Sequence, residues 1–404
     1  VGGSYGPYIQ SERKDIYNYY AHKLVETGAA YYCFCSKERL AKLQESGAAK
    51  YDKYCLHNVS LEEAKARIAT GEPFVVRQNI PESGVSTYTD LVFGEISVDC
   101  KDLDDNILLK SDGMPTYNFA NVIDDHLMNI THVIRGVEYL SSTNKYNLIY
   151  DAFGWQRPQY IHLQPIMKDS AHKLSKRTGD ASFEDFIKKG YLSQAIVNYI
   201  ALLGWSPKDN REKLSMQDLV EAFSIEGLSK SPSIFDENKM RWLNSLYMKE
   251  LPKEEFAKLS KPYYDALGLA GKYDYELLDK LLQSRLEILS EIPEKLKFLD
   301  EFDNFDLSLF ENKKLKIDQS TAKEVLPKLL KRLEEIPSFE NAVLFENLKQ
   351  FAQEINIKSA ALFWIMRIAL TGAEVTPGGA TEMAELFGKE RSLERIKTAY
   401  NRLG

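Results

Sequence analysis

From residue 178 to the end, the apolar residues recur at helical spacing, whereas short β-branched and aromatic runs alternate with amphipathic stretches before it. This change of period calls for an α/β part followed by an all-α part. In the front part, strand-like runs fall at 74–77, 91–93, 96–98 and 107–109. A turn at Ser111-Asp112-Gly113 precedes a helix over 116–127. A strand at 130–134, a helix at 138–153 and a strand at 160–163 follow. That order reads as a βαβ unit of a doubly wound parallel sheet.

Local signals add detail. Ile16, Tyr19, Tyr20 and Leu24 give residues 11–28 an apolar helical face, and Gly28 suits a left-handed C-cap. Ser60-Leu61-Glu62-Glu63 fits a capping box, and Gly71 stops the helix it opens. Further helices are expected at 193–203, 216–223, 237–246, 253–267, 276–289, 321–333, 342–355, 359–370 and 393–403. Prolines, Pro262 and Pro327 among them, mostly mark starts and stops. A domain boundary falls near 247–252.

No apolar run approaches the ~18 residues that span a bilayer, and the first residues have neither the basic start nor the apolar stretch of a signal peptide. A cytoplasmic protein is expected, with no membrane partner. A net charge of −7 does not advertise nucleic-acid binding, yet phosphate contacts need only a local basic face.

Four cysteines in 404 residues do not make a disulfide framework. Cys33-x-Cys35 and Cys55-x-His57 instead form two ligand pairs, and two-residue spacing puts both members on one side of an extended knuckle. Three thiolates and one imidazole make a closed tetrahedral set for structural Zn²⁺. Tyr51 lies just before the second pair, and Cys100 is left over as an ordinary strand residue.

Lys173-Leu174-Ser175-Lys176-Arg177 follows a strand and precedes a helix beginning near Ser182. On charge alone it is a solvated basic turn; beside a nucleotide, the same lysines could stabilise charge moving onto pyrophosphate. These residues resemble the Lys-Met-Ser-Lys-Ser signature loop of class I aminoacyl-tRNA synthetases, in the form used by glutamyl-tRNA synthetases. Tyr5-Gly6-Pro7-Tyr8-Ile9-Gln10-Ser11-Glu12-Arg13, the block from Ser111 to His126, Thr131-His132-Val133-Ile134-Arg135-Gly136-Val137-Glu138 and Ala369-Leu370-Thr371-Gly372 resemble the same family.

The resemblance implies ATP-dependent activation of L-glutamate, with Mg²⁺, and transfer to tRNA-Glu by a monomeric ligase. It implies roles in catalysis for Lys173, Ser175, Lys176 and Arg177, and in holding glutamate for Tyr117, Asn121 and Arg135. Glu138, Tyr139, Ile166 and Met167 would contact ATP, with Lys173 and Lys176; Arg367 and Thr376 would read the anticodon. Arg135 is expected just after the strand, at the carboxyl edge of the sheet, where a guanidinium can hold a carboxylate with two hydrogen bonds. Tyr117 and Asn121, four apart, share a helix face.

The implied fold is a partial Rossmann-type parallel sheet with an inserted α/β acceptor-binding domain, then helical stem-contact and anticodon-binding domains. The expected bounds are 1–29 for a remnant of the first Rossmann half, 30–110 for the insert with its zinc knuckle and 111–178 for the second half. The stem-contact domain takes 179–250 and the anticodon domain 251–404. The family's opening strand and His-Ile-Gly-His-type motif have no match here. The chain therefore reads as an N-terminally truncated form, with an exposed sheet and little or no charging activity alone. A non-catalytic tRNA-binding fragment, or an enzyme that also charges tRNA-Gln, is the alternative. Glutaminyl enzymes share the front half but call for a β-barrel in the back; glutamyl-queuosine enzymes usually end before any anticodon domain.

Overall fold

The computed structural model describes residues 2–174, 182–299, 302 and 304–404. The chain forms two compact units, one of Val1–Leu174, Leu203–Asn210 and Ala222–Ile234, the other of Ser175–Leu202, Arg211–Glu221 and Phe235–Gly404. No described helix is long and apolar enough to cross a membrane.

The first unit carries nine strands among its described residues: β1 Ala30–Cys33, β2 Val75–Gln78, β3 Val85–Asp90, β4 Gly94–Asp99, β5 Ile107–Leu109, β6 His132–Gly136, β7 Gln159–Leu163, β8 Ile166–Met167 and β9 Ser233–Ile234. Its helices include α1 Lys14–Glu26, α2 Lys37–Glu45, α3 Tyr54–Asn58, α4 Leu61–Ala69, α5 Tyr117–Leu127 and α6 Thr143–Phe153. One antiparallel sheet has the order β1-β2-β5 and a second has β4-β3-β7-β6. Within the second, β6 and β7 are parallel, with Ile134 opposite Ile161 and Arg135 opposite His162, as the βαβ reading requires. Tyr17, Ala21 and Leu24 of α1, Val76, Leu108, and Phe119 and Ile123 of α5 pack into one core. Each large apolar side chain buried this fully stabilises the fold by about 1.5–3 kcal/mol.

Several boundaries differ from expectation. Residues 91–93 are a turn, because Asp90 Oδ1 accepts the N–H groups of Val92 and Phe93, both at 2.9 Å. The strand lies before them: β3 alternates, but two of its three inward residues, Ser86 and Asp90, are polar, so apolar alternation does not reveal it. β6 begins and ends two residues later than expected, which puts Arg135 inside the strand. The helix expected over 138–153 is a 3₁₀ turn, Val137–Tyr139, followed by α6. The first helix likewise opens with a 3₁₀ turn, Gln10–Arg13.

The second unit is helical, with Phe183–Lys188, Ser193–Leu202, Glu237–Glu250, Lys253–Ala266, Tyr275–Leu282, Gln319–Glu335, Asn341–Glu354, Ser359–Thr371 and Ala380–Arg402. Pro262 and Pro327 sit inside helices rather than at their ends. Both face solvent, as do Lys258 and Lys323 four residues before, so the carbonyls deprived of an N–H partner can bond to water. The helix expected over 276–289 ends at Leu282 and passes into a 3₁₀ turn, Gln283–Arg285. The last helix starts earlier than expected and is kinked at Gly388, where φ is +72°. Leu326, Leu329, Leu344, Leu348, Leu362, Ile365 and Ile396 are fully buried in the unit's core.

Candidate active site and metal centre

Arg135 is held from one side. Its Nε donates to His162 Nε2 at 3.2 Å, and its Nη2 donates to Thr143 Oγ1. The register of β6 on β7 sets the first contact, and the first residue of α6 supplies the second. Thr143 Oγ1 in turn donates to the Tyr139 carbonyl at 2.8 Å. The rings of Tyr139, Tyr146 and Tyr160 stand 5.2, 5.0 and 5.7 Å from the guanidinium carbon. Among the described residues no carboxylate is ion-paired with Arg135, and its Nη1 has no hydrogen-bond partner. The edge formed by Nη1 and the remaining Nη2 N–H is therefore open to a planar acceptor.

Tyr117 opens α5 after the N-cap Thr116, is 55% exposed, and its ring lies 5.6 Å from that of Tyr139. One turn on, Asn121 Oδ1 is buried without a hydrogen-bond partner, an acceptor with an unmet need. Tyr146 donates to Asn118 Oδ1 at 2.9 Å, tying α6 to α5, and burial pushes its hydroxyl up to about 12. Glu138, next in sequence to Tyr139, is exposed. Burial pushes the carboxyl of Asp125 up to about 6, against the opposing pull of Arg135.

Ile166 and Met167 form β8, parallel to β9. The chain then doubles back: Lys168 N–H donates to the His172 carbonyl at 2.8 Å, and Leu174 N–H to that of Ile166 at 2.9 Å. Asp169 Oδ1 closes the turn by accepting the N–H groups of Ala171 and His172, each at 2.8 Å. Lys173 is thus bridged to Met167. Ser175, Lys176 and Arg177 lie outside the described residues.

The sulfurs of Cys33, Cys35 and Cys55 all lie within 4.8 Å of one another. His57 is not among them; it is 55% exposed, with Nε2 3.9 Å from Glu82 Oε1. The extended knuckle fails here because the chain winds into α3, and at 100° per residue positions 55 and 57 point about 200° apart. Tyr51 comes in instead: its hydroxyl is 3.4 Å from Cys33 Sγ and 3.1 Å from Cys35 Sγ, and accepts the Cys55 N–H at 3.2 Å. Thiolates on a tetrahedral zinc, with bonds of about 2.3 Å, stand roughly 3.8 Å apart, so the three sulfurs fit such an ion. Hydrogen bonding with Cys55 holds the Cys33 thiol down, to about 4, and the same bond raises Cys55. The Arg77 guanidinium lies 4.1 Å from the centre of the Tyr51 ring. No disulfide forms, and Cys100 is a separate buried thiol.

In the helical unit, Arg367 lies on Ser359–Thr371 and donates from Nη1 to the Glu374 carbonyl at 3.2 Å, while its buried Nε has no partner. Thr376 Oγ1 donates to the Gly378 carbonyl at 2.6 Å. Between them Val375 is 87% exposed. Sequence reasoning missed Asp90, His162, Thr143 and the place of the Tyr51 hydroxyl beside the sulfurs; the fourfold spacing from Tyr51 to Cys55 was the available signal for the last.

Comparison with known proteins gives a consistent result. Residues 2–242 match the family model for the catalytic domain of class I tRNA synthetases (E and Q), and 255–400 match an anticodon binding domain. A glutamate–tRNA ligase of Clostridium tetani is 48% identical over 408 residues, spanning 100% of this chain and 83% of that protein. One from Clostridium botulinum, strain Eklund 17B, is 50% identical over 404 residues, with 98% and 83% covered. Among solved structures, a glutamate tRNA ligase from Elizabethkingia meningosepticum in complex with its amino acid superposes with a TM-score of 0.89 at 29% identity. That match covers 100% of this chain and 85% of the other. The glutamate–tRNA synthetase of Elizabethkingia anophelis gives a TM-score of 0.86 at 29% identity, with 99% and 85% covered.

Proposed function

Since the chain belongs to the class I tRNA synthetases, as a glutamate–tRNA ligase that uses ATP, we propose that Arg135 is the residue that grips the substrate carboxylate. The observation that carries this reading is the open edge of Arg135: a cation ringed by tyrosines, fixed from behind, with no protein carboxylate paired to it among the described residues. Tyr117 and the unmet acceptor of Asn121 belong to the same glutamate site.

Glutamate's α-carboxylate attacks the α-phosphate of ATP, pyrophosphate leaves, and the glutamyl group passes to a ribose hydroxyl of tRNA-Glu. Positioning and charge stabilisation carry most of this chemistry. Ile166 and Met167 offer apolar area to adenine, Glu138 and Tyr139 flank it, and Lys173 stands at the pyrophosphate side, with Mg²⁺ as the counter-ion. Ser175, Lys176 and Arg177 would complete that side. Residues 30–110 take the acceptor end, with Cys33, Cys35, Cys55 and the Tyr51 oxygen holding a structural Zn²⁺. Residues 179–250 meet the stem, and Arg367 and Thr376 the anticodon. The same reading makes the protein a cytoplasmic monomer.

The test is a calorimetric titration with L-glutamate. Removing one partner of a desolvated charge pair costs about 2–5 kcal/mol, so Arg135→Met should weaken binding at least roughly 30-fold. An affinity that stays within about threefold contradicts the assignment.

A further inference from the structure

The contact behind Arg135 continues inward. His162 is 0% exposed and Asp90 1%, and His162 Nδ1 lies 2.7 Å from Asp90 Oδ2. The same oxygen accepts the main-chain N–H of His162 at 3.1 Å. An ionised carboxylate only accepts, so the shared proton sits on Nδ1 and Nε2 presents a lone pair. That lone pair faces Arg135 Nε–H at 3.2 Å. Resting on the reading of Arg135 above, we infer that Asp90 and His162 are positioning residues that fix its guanidinium plane. Asp90 sets the imidazole tautomer, the imidazole and Thr143 occupy the Nε–Nη2 edge, and the opposite edge is left aimed at the substrate carboxylate.

The groups around the imidazole agree with this. Burial holds His162 below its ordinary value, the Arg135 charge acts in the same direction, and Asp90 and the more distant Glu138 oppose them. A neutral ring is required, since a proton on Nε2 would confront Arg135 Nε–H. The flanking rings of Tyr88 and Tyr160 do not compete for it: their hydroxyls donate to the Leu140 carbonyl and to Asn147 Oδ1, each at 2.7 Å. Asp90 also has a purely structural task through Oδ1, which caps the 91–93 turn. Oδ1 thus serves the turn alone, Oδ2 serves the imidazole and the His162 main chain, and an isosteric change alters only the second set. In Asp90→Asn with the turn kept, the new NH₂ faces His162 Nδ1, forces the proton to Nε2 and pushes Arg135 out of plane.

The experiment is a glutamate titration of the protein and four variants, each checked for a cooperative thermal melt. Asp90→Asn and His162→Leu should weaken binding by about tenfold or more; His162→Gln, which can keep an acceptor toward Arg135, should stay within about threefold. If Asp90→Asn and His162→Leu bind within about twofold of the unmodified protein while Arg135→Met loses glutamate, the inference falls and the role of Arg135 stands. If Arg135→Met itself retains binding, the underlying reading falls. Should a variant lose its cooperative melt, ¹⁵N-histidine spectra of the unmodified protein decide. One ring protonated on Nδ1 and bare on Nε2 throughout about pH 6–8 is expected; a His162 ring protonated on Nε2 overturns the inference.

Discussion

Each of the two units contains an arginine enclosed by aromatic rings, and the two are satisfied in opposite ways. In the helical unit, Arg395 is 9% exposed and donates to the carbonyls of Phe298, Leu299 and Leu370 at 3.2, 2.7 and 2.8 Å. The rings of Phe302 and Phe387 lie 4.5 and 4.3 Å from its guanidinium carbon. Its donors terminate main-chain segments that would otherwise bury unpaired carbonyls. In the mixed unit, Arg135 bonds, among the described residues, to two side chains at one edge, and its other edge meets no acceptor among them. Ring contacts alone would class both as packed cations. The partners tell them apart: the arginine bonded to carbonyls holds a fold, and the one with an edge unpaired among the described residues is the one we propose for a ligand.

The largest expected effect that could break this comparison is on stability. Arg395→Met strands three carbonyls and should cost about 3–5 kcal/mol in urea unfolding, against about 1 kcal/mol or less for Arg135→Met. Equal costs would erase the distinction. At the cysteine cluster, Cys55→Ser should lower Zn²⁺ affinity by at least about 10-fold while His57→Ala leaves it unchanged, measured by metal content after competition with a chelator. Loss of metal in His57→Ala would restore the histidine as a ligand. A third outcome concerns Asp125, near Arg135 but not paired with it. Its folded pKa is raised to about 6, so its contribution is fully present below the unfolded value near 3.8 and is lost as pH rises through about 6. Asp125→Asn should therefore gain about 1–2 kcal/mol over the unmodified protein between roughly pH 4 and pH 7, and nothing below, after discounting for partial exposure. A constant difference across that range would contradict it. Smallest of all, Arg39 is half-buried, bonds Asp52 and stacks on Tyr54 at 4.1 Å. As a surface pair it should cost less than about 1 kcal/mol on change to alanine.

What could be read from sequence was local. The βαβ order, the cap at Ser60, the paired cysteines and the Arg135 segment are all short-range patterns, and the structure contains each. Ser60 accepts the Glu63 N–H as the spacing required. What escaped depended on pairing between distant segments. His162 meets Arg135 only because two parallel strands, 27 residues apart at that point, fall into register. β3 hid because its inward face carries Ser86 and Asp90, polar residues buried for their hydrogen bonds. His57 lies apart from the three sulfurs because the spacing was read as extended where the chain is helical. In each case the missing information was tertiary: which strand neighbours which, and which way a short segment winds.

The most direct test of the central claim is a crystal structure of the protein with L-glutamate bound. The account expects a glutamate carboxylate on the Nη1–Nη2 edge of Arg135, at about 2.7–3.0 Å from both nitrogens, with the His162 and Thr143 contacts unchanged. Glutamate seated away from Arg135, or Arg135 turned to pair with a protein carboxylate, would contradict it.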